Sequence, residues 1–240
     1  MKSPSQRRWP LDAFRAVVLT LGFLSAWTVA SAHGVTGKDA AFVTGAHGAE
    51  PLAFLYLGAK HMVTGYDHLL FLLGVIFFLR RLKEVALYVT LFSVGHSITL
   101  LAGVLGGVHA NPYLIDAIIG LSVAYKAFDN LGGFRTLLGV QPDTRAAVAI
   151  FGLFHGLGLA SKLQALNLTK DGLVTNMVAF NVGVELGQLT ALSLILVAMV
   201  WWRRSPRFQA QSVAANGAIM AAGFLLILYQ LTGYFLKGSV

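Results

Sequence analysis

Six stretches of this chain read as candidate bilayer crossings, and lipid permits few folds to such a chain. A span needs about 20 mainly apolar residues. Inside hydrocarbon the backbone must satisfy its own N–H and C=O groups, so a run of that length is a helix. The runs are Leu52 to Leu79, Glu84 to Gly106, Pro112 to Phe128, Ala146 to Leu166, Gly172 to Trp202 and Val213 to Leu236. Composition agrees: 56% of residues are hydrophobic and 12% charged, against about 25% charged in soluble domains. The expected fold is an all-α integral membrane protein, a bundle of six transmembrane helices forming one domain over residues 33–240. The first run is longer than a span needs, and Gly58 and Gly65 are places where it can divide into a short outer piece and a full crossing.

Residues 1–32 read as a cleaved signal peptide. Lys2, Arg7, Arg8 and Arg15 are basic, an apolar run follows from Ala16 to Val29, and Ala30-Ser31-Ala32 offers a small-x-small cleavage site. An uncleaved anchor helix is the alternative. Lys and Arg then fix the orientation. Arg80, Arg81 and Lys83 follow the first run, Arg135 and Arg145 separate the third from the fourth, and Arg203, Arg204 and Arg207 separate the fifth from the sixth. These loops are expected in the cytoplasm, which agrees with export of the N-terminus. The expected location is a bacterial inner membrane, with several passes and a periplasmic mature N-terminus. The net charge of +8 is thereby a property of the loops, and no nucleic-acid partner is needed to explain it. The chain has no cysteine, which excludes disulfides, thiolate metal sites and cysteine nucleophiles. It has no GxxxxGK[ST] loop, so ATP is not expected as a partner.

The ionisable residues within the runs carry the chemistry. His61, Asp67 and His68 fall in KHMVTGYDHLLFLLG of the first run. On a continuous helix His61 and His68, seven apart, share a face. His96 lies near the middle of the second run, His155 of the fourth and Glu185 of the fifth. Such groups cost about 2.5–3.5 kcal/mol each at mid-membrane on insertion scales. A single membrane histidine is more often a hydrogen-bond partner of a neighbouring helix. Four helices bringing imidazole or carboxylate to one depth favour a metal site instead, because these side chains suit borderline divalent ions. The expected ligand set is His61, Asp67, His68, His96, His155 and Glu185.

Asn181, Glu185 and Gln188 form a polar stripe on the fifth run, and Ser93 lies near His96. Ser93, Asp116, Asn181 and Gln188 are expected to line a path or support the ligands, with plain interhelical hydrogen bonding as the alternative. His33, His47 and His109 read as surface histidines. Asp116, Lys126, Asp129 and Lys162 read as residues near the ends of spans, where a lysine reaches for the interface. Gly152 and Gly156, Gly183 and Gly187, and Gly103 and Gly107 have the spacing of closely packed membrane helices.

The pattern HxxxxxDH at His61, Asp67 and His68, the GHSITL segment around His96 and the FHG at Phe154, His155 and Gly156 resemble the HupE/UreJ family of membrane proteins. The resemblance covers nearly all the mature chain. It implies a permease for nickel, or for cobalt, connected with supply to hydrogenase or urease. It also implies roles for the His and Asp of the first motif and for the FHG histidine. Many members extend FHG to a second His and then a Glu; Leu159 and Lys162 stand at those positions here. The chain looks like a divergent branch, and Glu185 is a candidate to replace the missing acid.

The expected activity is therefore passage of a divalent transition metal (nickel, with cobalt or zinc as alternatives) through an intramembrane His/Asp/Glu site. The expected partners are the metal ion and the lipid bilayer. The rival is an intramembrane zinc-dependent hydrolase using the same ligands, three His with a carboxylate that leave a position for an activated water.

Overall fold

The structure, a computed structural model, describes residues 38–166 and 169–237. The predicted signal peptide and His33 lie outside these residues. Every regular element among the described residues is a helix: α1 (Lys38–Gly45), α2 (Pro51–Thr64), α3 (Tyr66–Ile76), α4 (Leu82–Gly106), α5 (Pro112–Asn130), α6 (Gly133–Leu138), α7 (Thr144–Gln164), α8 (Leu173–Trp202) and α9 (Phe208–Lys237). The helix starts follow local chemistry. Asn111 Oδ1 accepts from the N–H of Tyr113 at 3.0 Å, with Pro112 in the first turn, and so opens α5. Asp143 Oδ1 accepts from Arg145 N–H at 2.7 Å and opens α7.

Four helices, α4, α7, α8 and α9, are long and apolar enough to cross a membrane. They are apolar on their outward faces as well. Val94, Ile98, Leu194, Val197, Leu225 and Leu228 are all exposed. A helix apolar all round is a core helix or a membrane span, and lipid is the solvent that such outward faces fit. The third expected span corresponds to α5, which runs for 19 residues and carries Asp116, Lys126 and Asp129. The first expected span is broken: α2 stops at Thr64 and α3 begins at Tyr66, with Gly65 extended between them (φ −75°, ψ 98°). The break falls at Gly65; Gly58 stays helical.

Glycines set which helices touch. A side chain on Gly58 would meet the backbone of Phe180 and Val184, and one on Gly183 or Gly187 would meet the backbone of Leu55 or Ala59, so α2 and α8 lie against each other in parallel. Gly95 faces Ala149 and Leu153, Gly152 faces Phe92, and Gly156 faces the His96 carbonyl; α4 and α7 are paired the same way. Gly120 and Gly223 pair α5 with α9 in antiparallel fashion. Lipid supplies no hydrophobic drive between helices, so backbone approach at small residues is what brings them together. Gly107 is the exception to the expected spacing: it ends α4 in the left-handed conformation (φ 66°) and packs against nothing nearby among the described residues. Gly95 and Gly103 take its place.

Candidate metal centre

The break at Gly65 builds the site. On an unbroken helix seven residues rise about 10.5 Å. Here His61 lies in the last turn of α2 and His68 in the first turn of α3, and their ring centroids are 5.0 Å apart. The convergence expected from sequence is present, but an interrupted helix produces it rather than a shared face. Gly65 also has to be small: a Cβ there would sit against His68 Nδ1 and near Asp67 Oδ1.

His155 enters from α7, with its ring centroid 4.9 Å from that of His68. One ligand atom each from Asp67, His68 and His155 lie within 4.8 Å of one another, and all three residues are buried. The protonation pattern follows from the partners. His155 Nδ1 lies 2.7 Å from the Phe151 carbonyl oxygen. A carbonyl only accepts, so Nδ1–H donates there, and in the neutral ring Nε2 carries the lone pair. His68 Nδ1 lies 3.0 Å from Asp67 Oδ1, the carboxylate–imidazole pairing that orients a metal-binding histidine and raises its basicity. Asp67 thus orients His68 through one oxygen, and its carboxylate is one of the three groups that could hold a metal ion.

The other expected residues fall in different places. His61 joins His68 and His155 in lining a cleft completed by Asp116, Ile119, Gly158, Leu159 and Lys162. The cleft has room for little more than a water-sized body. His96 is fully buried one layer away, its ring 6.4 Å from that of His68 and stacked on Phe92 at 6.1 Å. Among the described residues neither of its nitrogens has a hydrogen-bond partner. Gln188 is buried and accepts from Ser93 Oγ at 2.9 Å, joining α4 to α8. Asn181 donates to its own helix at Met177 O (2.9 Å).

Glu185 is exposed on α8 and is not brought into the cluster. The contact arc of α8 is set by Gly183, Val184, Gly187 and Gln188, all buried. Each residue advances about 100° round the helix, and that step carries Glu185 out of the arc. His47 and His109 are exposed, as expected.

Asp116 and Lys162 do more than sequence reading assigned them. Lys162 Nζ lies 2.8 and 3.0 Å from the two oxygens of Asp116, across the cleft between α7 and α5. The signal was Lys162 itself, standing where the resemblance noted above implies an acid. Phe71, Phe92 and Phe151 also escaped notice. Phe71 and Phe92 lie with ring centroids 5.7 and 4.9 Å from that of His155, and Phe71 and Phe151 are 5.7 Å apart. They pack a layer of rings around the imidazoles, and only their apolar character was visible in the sequence.

Comparison with known proteins bears on the whole chain. The family described as HupE / UreJ protein matches residues 37–238. A curated protein of Methylorubrum extorquens (strain PA1), named glycerol-3-phosphate acyltransferase, is 31% identical over 114 residues, covering 45% of this chain and 54% of its own length. The chain therefore spans about half the length of that relative. No solved structure matches it.

Proposed function

The chain belongs to the HupE/UreJ family, and we propose that it is a permease for a divalent transition metal, nickel first and cobalt or zinc next. The observation that carries this reading is the meeting of Asp67, His68 and His155 at the Gly65 break. The family relates to nickel or cobalt transport or to urease maturation. Mixed imidazole and carboxylate donors suit those ions better than magnesium or calcium. Zinc held tetrahedrally at about 2.1 Å draws its ligand atoms to about 3.4 Å of one another, and donors within 4.8 Å reach that spacing with small side-chain shifts. Conduction needs binding weak enough to let the ion leave.

In this reading the mature chain crosses a bacterial inner membrane six times: α2 with α3, then α4, α5, α7, α8 and α9. The parallel and antiparallel pairings of those helices agree with that order, and the Lys/Arg-rich loops agree with a periplasmic N-terminus after signal cleavage. The ion enters on the side where α5 begins and α7 ends, passes Asp116 and reaches His61, His68 and His155. The test is accumulation of first-row metals by cells carrying wild-type protein, His68→Ala or His155→Ala, each at matched membrane abundance. Loss of uptake of one metal in both variants is expected. Unchanged uptake of every metal removes the reading.

A second reading draws on the same cluster: two histidines and a carboxylate can serve as a zinc-hydrolase donor set. The partial likeness to a protein named as an acyltransferase leans towards enzymatic chemistry too. Stoichiometric metal in purified protein, with no flux in liposomes, selects the enzyme.

A further inference from the structure

We propose that Lys162 is a tethered cation that holds the entrance acid of the metal site, so that an incoming divalent ion reaches the histidines only by displacing its ammonium from Asp116. The inference rests on the transport reading and concerns the control of that same site. Lys162 lies seven residues beyond His155 on α7, about two turns or 10.5 Å nearer the helix end. Its side chain is 21% exposed and that of Asp116 9% exposed, whereas His155 is 1% exposed, so the pair stands between the buried imidazoles and the surface. Both oxygens of Asp116 are occupied by the one ammonium. Gly158, on the same face of α7, lets α5 come close enough for this: a Cβ there would meet Ile115 and approach Asp116 Oδ1.

Charge gives the pair its effect. With neutral imidazoles, the cleft and cluster hold the acids Asp67 and Asp116 and the base Lys162. A bound divalent ion then leaves an excess of positive charge, which a neutral side chain in place of Lys162 would remove. In a medium of intermediate dielectric, an ammonium lining the same cleft as the histidines opposes binding of a divalent ion by a large factor. Lys162 therefore lowers affinity and hastens release. It also withholds a carboxylate, the donor that hard ions need, leaving selection to imidazoles, which favour nickel, cobalt and zinc over manganese and magnesium.

The experiment is Ni2+ uptake into vesicles, with Mn2+ as competitor, for wild type, Lys162→Met and Asp116→Asn at measured membrane abundance. Lys162→Met is expected to lower the half-saturating Ni2+ concentration by about tenfold or more and to make Mn2+ an effective competitor. Asp116→Asn leaves the ammonium uncompensated and is expected to raise half-saturation by a similar factor. Lys162→Met with the wild-type half-saturation and wild-type indifference to Mn2+ overturns the proposal. Should Lys162→Met fail to accumulate, an unchanged or lowered half-saturation in Asp116→Asn overturns it equally. If wild-type vesicles pass no first-row ion, the transport reading falls separately. Equilibrium binding of Ni2+ to purified wild type and Lys162→Met then decides the role of Lys162, the same tenfold change being expected.

Discussion

The two ends of α3 meet the same problem in opposite ways. A short helix inside an apolar bundle leaves backbone groups at both ends that need partners. At its C-terminal end they are closed by protein. Arg203 donates to the carbonyls of Ile76 (2.8 Å), Phe77 (2.7 Å) and Leu79 (2.6 Å). Asn130 donates to Gly74 O at 2.8 Å and to Asn216 Oδ1 at 2.9 Å. Close by on α5, Lys126 is buried and paired with Asp129 at 2.5 Å. At its N-terminal end the first turn carries Asp67 and His68; His68 lines a cleft, and Asp67 is buried against it. Polar groups locked to backbone make a fixed scaffold. Polar groups gathered round a small space are arranged for a guest. One end of α3 anchors the bundle, and under the proposed transport reading the other handles the ion.

That division can be broken most severely at the cleft end. Asp67→Ala removes a proposed ligand and the orienting partner of His68 together. Loss of an orienting partner alone costs about 10–100-fold in metal affinity, so a loss beyond about 100-fold is expected, read by equilibrium Ni2+ binding to purified protein. Thermal stability without metal should change far less. A collapse in folding would instead make Asp67 part of the scaffold. Gly65→Ala tests the break itself: its Cβ would press on His68 Nδ1, and about a tenfold loss of Ni2+ affinity is expected with the bundle intact. Binding equal to wild type would mean that the helix break does not set the position of His68.

At the anchoring end the expectation is reversed. Arg203→Ala leaves three carbonyls without their charged donor, and buried acceptors cost about 1–3 kcal/mol each to leave unmet. Water at this end of the helix softens the loss, so about 2–3 kcal/mol in total is expected, seen as a lower melting temperature in detergent. Burial first, and the Arg80 charge second, pull the Arg203 pKa below its ordinary value, yet arginine remains charged. Ni2+ half-saturation should stay within about twofold of wild type. A large shift in half-saturation would show that the two ends of α3 are coupled.

Reading the chain as letters reached the cleft end further than the anchor. His61, Asp67, His68 and His155 were visible because ionisable groups stand out in apolar runs, and because each run has a depth scale. What periodicity could not show was the break: it needs only one extended residue, and Gly65 and Gly58 look alike in sequence. They differ because Gly58 faces the α8 backbone across a close helix contact, while Gly65 faces the first turn that follows it. The anchor was hidden for another reason. Arg203 was legible as a topological charge, and nothing local says that its guanidinium folds back onto the end of α3, more than 120 residues earlier in the chain. The Lys162–Asp116 pair was hidden in the same way, since each residue alone reads as an edge charge.

Glu185 supplies the smallest expected effect and the sharpest check on where the cleft ends. It sits near the middle of α8, where sequence spacing put it with Asn181 and Gln188, yet its side chain is exposed while Gln188 is buried. Glu185→Gln removes an ionisable group from an outward face, where charge is costly in lipid. Uptake and Ni2+ half-saturation are expected to remain within about twofold of wild type, because the substitution is remote from the cluster. Gln188→Leu, on the inward face, breaks the bond to Ser93 and should cost about 1 kcal/mol of stability. If Glu185→Gln abolished uptake while Gln188→Leu did not, the path would run along the outer side of α8. The closed and open ends of α3 would then no longer divide the molecule into anchor and cleft.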